Sequence, residues 1–122
     1  MIVLAVIIGG AVGAPARFFA DRAITRRVAD RLPWGTFAIN ISGSFALGLL
    51  TGLELHGHLS PFDKALLGTG FCGAYTTFSS WSFETVRLLE RGDYTGAFSN
   101  ALGSVIVGSA AAAGGFALGL LA

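Results

Sequence analysis

The sequence has 122 residues, of which 53% are hydrophobic and only 12% are charged, and its formal net charge is +1. This composition excludes an ordinary water-soluble domain, and no basic stripe with interleaved aromatic residues points to nucleic-acid binding. The single cysteine, Cys72, excludes a disulfide or a multi-cysteine metal site within one subunit. We therefore expect one integral membrane domain over residues 1–122.

Four segments free or nearly free of charge approach or exceed the roughly 20 residues that a helix needs to cross a bilayer. The predicted spans cover residues 2–20, 34–53, 65–83 and 94–122. The predicted fold class is thus an all-α integral membrane protein of four transmembrane helices. A cleaved signal peptide is the alternative for the first span, but no Lys or Arg precedes Arg17, whereas signal peptides begin with a basic region.

Small residues recur every four positions in three of the spans. They are Gly9 and Gly13 in the first span, Ser44, Gly48 and Gly52 in the second, and two sets in the fourth, namely Ser104, Gly108 and Ala112, then Gly115 and Gly119. Helices in lipid associate through close backbone approach, so these faces predict tight packing. Four short helices enclose little space, and a transport pathway would form more easily between two copies. A dimer is therefore expected.

The second span carries one polar face, formed by Thr36, Asn40 and Ser44 at intervals of four residues. The Asn40 amide has two interpretations, which the sequence leaves open. It is either a clamp between helices, worth about 1 kcal/mol, or a donor of amide protons to a passing anion.

The third span is rich in residues that weaken a straight helix. Glycines at positions 68, 70 and 73 precede Thr76, Thr77, Ser79, Ser80 and Ser82. Glycine costs about 1 kcal/mol relative to alanine in a helix interior. We therefore predict a break from residue 73 to 77, which would face a binding site because exposed backbone in lipid is costly. The alternative is a continuous helix whose hydroxyl groups bond to their own carbonyls.

Phe78 and Trp81 follow this stretch at a spacing of three residues, so they share a helical face. Such aromatic pairs usually pack in a core. Ring edges carry partial positive charge, however, and rings turned edgewise into a dry pore hold an anion without a formal charge.

Seven of the eight basic residues fall in the first and third loops or at their edges. They are Arg17, Arg22, Arg26, Arg27, Arg31, Arg87 and Arg91, whereas the second loop has only Lys64. By the positive-inside rule, the first and third loops are expected in the cytoplasm and both termini outside.

Three motifs resemble the bacterial fluoride channel family known as Fluc or CrcB. They are GGAVGAPAR from Gly9 to Arg17, GTFAINISGSFALG from Gly35 to Gly48, and GFCGAYTTFS from Gly70 to Ser79. The resemblance extends over nearly the whole chain. It implies an antiparallel dimer with two fluoride pathways, and a central structural Na⁺ at the dimer interface, held by main-chain carbonyls at a break in the third helix.

The resemblance also assigns residues by motif position. The ion pathway takes Asn40, Thr77, Phe78, Trp81 and Ser104, and the carbonyls of Gly73 and Thr76 take the sodium ion. Trp81 stands where the family has a second phenylalanine. Arg17 has two interpretations: it draws anions into a vestibule, or it extends to the lipid headgroups as an anchor.

The implied function is passive, fluoride-selective export across the bacterial cytoplasmic membrane, with no enzymatic reaction. An antiparallel homodimer requires dual topology, which the charge bias of seven to one opposes, so a heterodimer with an oppositely oriented paralogue stays open. A proton-coupled multidrug exporter is the rival, but it needs an intramembrane carboxylate, and the predicted spans have none. A non-conducting accessory protein would leave the break and Asn40 unexplained.

Overall fold

The computed structural model describes residues 1–28 and 31–122, and it is helical throughout apart from short connections. The helices are α1 (Ile2–Thr25), α2 (Trp34–Leu55), α3 (residues 61–75), α4 (Phe78–Glu90) and α5 (Tyr94–Leu121). Three of them, α1, α2 and α5, are long and apolar enough to cross a membrane. The chain is therefore an all-helical, multi-pass membrane protein, as its composition predicts.

The helices run further than the predicted spans at their charged ends. Helix α1 continues to Thr25 rather than residue 20, and Arg22 lies in its last turn. Apolar stretches mark only the hydrocarbon core, whereas backbone hydrogen bonds continue into the headgroup region. A basic residue in the last turn also stabilises the helix end.

Helix α3 is irregular along most of its length. It begins with an α-helical turn, Pro61–Asp63, which Ser60 caps through a reciprocal pair of hydrogen bonds with Asp63. A π-helix follows over Lys64–Cys72, and Gly73–Tyr75 forms a last α-helical turn. A π-helix of nine residues is unusual, because most occur as single turns. The glycines at 68 and 70 therefore lie in wide helical turns and do not interrupt the helix.

The break in the third segment is confirmed, but it is shorter than predicted. Thr76 has φ −77° and ψ 160°, and Thr77 has φ −148° and ψ 122°, so both are extended. Gly73 lies in the helical turn before them. The predicted break over residues 73 to 77 is thus corrected to two residues, and the continuous-helix alternative is wrong.

Helices α2 and α5 meet along their glycine faces. A methyl group on Gly48 would overlap the carbonyl oxygen of Ala112, and one on Gly115 would overlap that of Phe45. One turn further, a methyl group on Gly52 would lie 2.5 Å from the carbonyl oxygen of Phe116. The two backbones are therefore in direct contact, as the spacing of small residues predicts.

Helices α1 and α3 also meet through glycines. A methyl group on Gly9 would overlap the carbonyl oxygen of Leu66, and one on Gly13 would overlap that of Phe71. Both oxygens belong to the π-helix. The predicted packing face of the first span is thus confirmed, and its partner is the irregular part of α3.

The start of α5 is held by the connection that precedes it. Gly92 adopts φ +76°, a left-handed conformation that glycine takes without strain. The Asp93 carboxylate then accepts a hydrogen bond from Gly96 N at 2.9 Å and caps the helix. The hydrogen bond from Arg31 lowers the pKa of Asp93.

Candidate ion site at the break in the third segment

Asn40 of α2 replaces the hydrogen bonds that the break removes. Its Oδ1 accepts from Thr77 N at 2.8 Å, and its Nδ2 donates to the Thr77 carbonyl at 2.9 Å. The side-chain amide therefore acts as a neighbouring strand of backbone would. The clamp interpretation of Asn40 is confirmed. An amide nitrogen carries two protons, so one stays available to the groove that Asn40 lines.

The break leaves the Gly73 carbonyl, one of the two predicted to bind sodium, without its helical hydrogen bond. Thr77 N would close a helical turn on this carbonyl, but it donates to Asn40 instead. The Thr76 carbonyl has a different neighbour, because Arg17 Nη1 lies 3.5 Å from its oxygen. Carbonyl oxygens at a helix break are the ligands that bind monovalent cations in membrane proteins. The donor set therefore fits a sodium ion, with Arg17 beside one of its members.

A groove of about 630 Å³ runs beside the break. It brings together all five residues predicted for the ion pathway, namely Asn40, Thr77, Phe78, Trp81 and Ser104. The Gly73 and Thr76 positions line the same groove. Arg17 is not among the lining residues. The structure thus gathers the predicted pathway on one surface and places Arg17 against the break.

Phe78 and Trp81 form the aromatic part of this groove. Their ring centroids lie 5.2 Å apart with the planes tilted by 49°, so the predicted shared face is confirmed. Helix α4 begins at Phe78 because the Thr77 hydroxyl accepts from Ser80 N at 3.2 Å and caps the helix. Phe78 is 76% exposed on the single subunit.

Ser104 of α5 is one of the residues that line the groove. Its Oγ is buried, and no hydrogen-bond partner lies near it among the residues that the structure describes. A buried hydroxyl without a partner is costly.

Glu84 is a polar residue of this region that sequence reasoning missed. Its Oε1 accepts from Thr36 Oγ1 at 2.9 Å. Its Oε2 is buried without a partner in residues 1–28 and 31–122. Both residues line a second cavity of about 350 Å³, together with Asp21 of α1. The signal that could have found Glu84 is its spacing of three residues from Trp81, which puts the two on one face of α4.

Glu84 lies just beyond the predicted third span. The predicted third span ended at residue 83, whereas α4 continues to Glu90. Asp21 likewise lies beyond the predicted first span but inside α1. Neither residue lies within a predicted span, so the lack of a carboxylate in those spans still argues against a proton-coupled exporter.

Comparison with known proteins gives the family directly. Residues 4–116 match the family model described as CrcB-like protein, Camphor Resistance (CrcB). The chain is 51% identical to fluoride-specific ion channel FluC 1 of Streptomyces avermitilis, over 92% of this chain and 90% of the relative. It is also 51% identical to FluC 1 of Symbiobacterium thermophilum, over 92% of both chains. It is 47% identical to FluC 2 of Mycobacterium tuberculosis, over 89% of this chain and 83% of that protein.

The family model covers the break, every residue of the groove and the glycine faces as far as Gly115. The relatives are named as ion channels, not as enzymes. The resemblance noted from the three motifs is thereby confirmed, and the chain belongs to the CrcB family.

Proposed function

We propose that this chain forms a fluoride-selective channel, which lets fluoride leave the cytoplasm passively and so lowers its toxic concentration. The observation that carries the proposal is the groove that joins Asn40, Phe78, Trp81 and Ser104 beside the break. Relatives with about half of their residues identical are named fluoride-specific ion channels. We place the chain in the bacterial cytoplasmic membrane.

Fluoride is small and strongly hydrated, so a selective pathway must replace its water with closely spaced donors. In the proposed mechanism the second Nδ2 proton of Asn40 and the hydroxyl of Ser104 donate to the ion. The edges of Phe78 and Trp81 supply partial positive charge without a formal charge. Weak, successive contacts of this kind let the ion enter and leave.

The proposal includes a structural sodium ion held by the carbonyls of Gly73 and Thr76. Its support is the freed carbonyl of Gly73 and the donor chemistry of the break. The ion would neutralise carbonyl dipoles that face away from any helical partner. The chain's own contribution is to fix the break through Asn40.

A second subunit completes the site in this proposal. The groove is open along one side, and Phe78 projects from it. Polar groups such as those of Asn40 and Ser104 are costly against lipid, so a partner that covers the groove is favoured. Two assemblies satisfy this need: an antiparallel homodimer, and a heterodimer with an oppositely oriented paralogue. The charge bias of the loops supports the second, and relatives are numbered FluC 1 and FluC 2.

Fluoride efflux from proteoliposomes tests the function. A fluoride electrode records release from fluoride-loaded vesicles that hold equal pH on both sides, so that no proton gradient contributes to the driving force. Chloride efflux is the selectivity control. Absence of fluoride flux, both from the purified chain and from the chain co-expressed with its paralogue, would refute the proposal.

Phe78→Ile tests the pathway within the same assay. It removes an aromatic edge from the groove, so flux should fall strongly while the dimer stays intact. Phe98→Ile is the matched control, because Phe98 is a 69% exposed phenylalanine of α5 that does not line the groove. Equal flux from both variants would remove Phe78 from the pathway.

A further inference from the structure

Trp81 belongs to a closed set of three hydrogen bonds that joins α4 to α5. Its indole Nε1 donates to the Asn100 carbonyl at 3.1 Å. The Asn100 side chain donates through Nδ2 to Thr85 Oγ1 at 2.8 Å, and the Thr85 hydroxyl donates to the Trp81 carbonyl at 2.8 Å. Asn100 is only 6% exposed. We call these three residues the indole clamp.

The clamp takes up the strongest donor that Trp81 has. An indole N–H is a donor only, and it has a single proton to give. In a water-poor groove a free N–H would bind an anion directly. Conduction requires binding that is weak enough for the ion to leave. With the N–H bonded to Asn100, the part of Trp81 that remains for the groove is its carbon edge.

We infer that Asn100 and Thr85 are positioning residues that turn the indole N–H of Trp81 away from the ion pathway. This inference rests on the proposed fluoride channel function. With its N–H bonded to Asn100, Trp81 presents a ring edge to the groove as Phe78 does. Neither Asn100 nor Thr85 lines that groove, so both act through Trp81.

The geometry makes Thr85 the residue to change. Its hydroxyl accepts from Asn100 and donates to Trp81, so one oxygen joins both halves of the clamp. Thr85→Val keeps the shape of the side chain and removes both bonds. The buried amide of Asn100 then loses its acceptor, which loosens the contact between α4 and α5 that holds the Asn100 carbonyl at the indole N–H.

The experiment combines fluoride efflux with tryptophan fluorescence. All variants carry Trp34→Phe, which leaves Trp81 as the single tryptophan of the chain. Thr85→Val should lower fluoride flux by about fivefold, the size expected for losing one hydrogen bond between membrane helices. Fluoride should also shift the Trp81 emission in this variant, because an indole held less firmly against the Asn100 carbonyl can turn its N–H to the ion. The emission of the parent should not respond.

Three further variants separate positioning from general damage. Thr85→Val in a Trp81→Phe background should lower flux no further, because no indole N–H remains to be released. Thr85→Ser keeps the hydroxyl and should behave as the parent. Thr51→Val removes a comparable bond, from Thr51 Oγ1 to the Leu47 carbonyl at 2.8 Å, at an exposed position of α2, and should leave flux unchanged.

Two results would overturn the inference while the channel function stands. One is an equal loss of flux on Thr85→Val with and without Trp81. The other is an emission that ignores fluoride in Thr85→Val. If Thr85→Val does not fold, Asn100→Leu removes the same bond from the other side and is read by the same criteria. A parent protein without fluoride flux would refute the channel proposal and the indole clamp with it.

Discussion

The α2–α5 pair and the α1–α3 pair are both joined by glycines in contact with carbonyl oxygens, yet their backbones differ. Helices α2 and α5 are continuous over 22 and 28 residues. Gly9 and Gly13 of α1 instead rest on a π-helix, and one α-helical turn separates this π-helix from the two-residue break. The regular pair supplies fixed positions for Asn40 and Ser104. The irregular pair supplies freed backbone, which Asn40 then holds in place. The regular α2–α5 pair thus stabilises the irregular backbone of the α1–α3 pair through Asn40.

The largest effect is expected from breaking the regular pair. Gly48→Val would drive a branched side chain into the carbonyl oxygen of Ala112, and backbone cannot move aside as a side chain can. Overpacking costs about 1–3 kcal/mol even where side chains relax, so this variant should exceed that range. Size-exclusion chromatography and thermal melting in detergent measure the loss.

Gly114→Val is its matched control on the opposite helix. No atom lies within 4 Å of a methyl group at Gly114 among the described residues, so this variant should purify and melt as the parent does. Similar behaviour of the two variants would show that the glycine contact of α2 with α5 does not support the fold.

A smaller and different effect is expected from the irregular pair. Gly9→Ala would press a methyl group against the Leu66 carbonyl and displace the π-helix, while α2 and α5 keep their contact. The protein should therefore still purify as a folded species, but fluoride flux should fall about tenfold, in line with the cost of overpacking. Proteoliposome efflux checks this expectation.

Gly10→Ala provides the comparison one residue along α1. Its methyl group would meet its nearest neighbours at 3.9 Å, which is an ordinary contact. Flux equal to that of Gly9→Ala would mean that the position of the π-helix does not govern the pathway.

The link between the two pairs is the next point to test. Asn40→Leu removes both hydrogen bonds to Thr77, and the broken backbone would lose its substitute partner. We expect a destabilisation of about 1–3 kcal/mol, together with loss of flux. Thermal melting gives the first quantity and efflux the second.

Ser42→Ala serves as the reference for a hydroxyl on the same helix. Its bond to the Tyr75 hydroxyl at 3.1 Å is exposed, so the change should stay within about 0.5 kcal/mol. A melting temperature of Asn40→Leu as high as that of Ser42→Ala would contradict the role of Asn40 as the substitute partner.

The smallest effect concerns the cation proposed at the break. The guanidinium of Arg17 and a sodium ion both seek the Thr76 oxygen, and their charges repel. Arg17→Gln should therefore raise the apparent sodium affinity about threefold, a size typical of a partly exposed charge interaction. The dependence of melting temperature on sodium concentration measures it, with potassium as the ionic-strength control.

Arg22→Gln changes the same charge one turn further along α1. Its guanidinium lies over the Phe18 ring, 5.4 Å from the centroid, and away from the break. An identical sodium response in the two variants, or a weaker response in Arg17→Gln than in the parent, would rule out competition at Thr76.

Local patterns predicted much of this fold. Uncharged segments predicted the helices, and small residues at intervals of four predicted their contacts. The run of hydroxyl residues predicted the break. The π-helix was not predictable, because it depends on how Gly9 and Gly13 seat against α3 rather than on local propensity. Glu84 was missed because an apolar segment ends at its first charge, although the helix continues.

In the candidate site, too, local patterns predicted some features, whereas contacts between helices determined others. Asn40 and the face that it shares with Thr36 and Ser44 were visible in the sequence, but the partner of the amide, Thr77, was not. The direction of the Trp81 N–H was equally hidden, because its acceptor lies 19 residues away on another helix. Spacing finds the members of a site, whereas hydrogen-bond pairing across helices needs coordinates.

The two extended residues at 76 and 77 also bear on the topology of the whole chain. They divide residues 61–90 into pieces too short to count as crossings, which leaves three continuous apolar helices in the part of the chain that the structure describes. An odd number of crossings would put Met1 and Ala122 on opposite sides of the membrane. If residues 61–90 cross as one broken unit, the number is even and both ends share a side. Reporters fused to the two ends therefore show whether residues 61–90 cross the bilayer despite the break at Thr76 and Thr77.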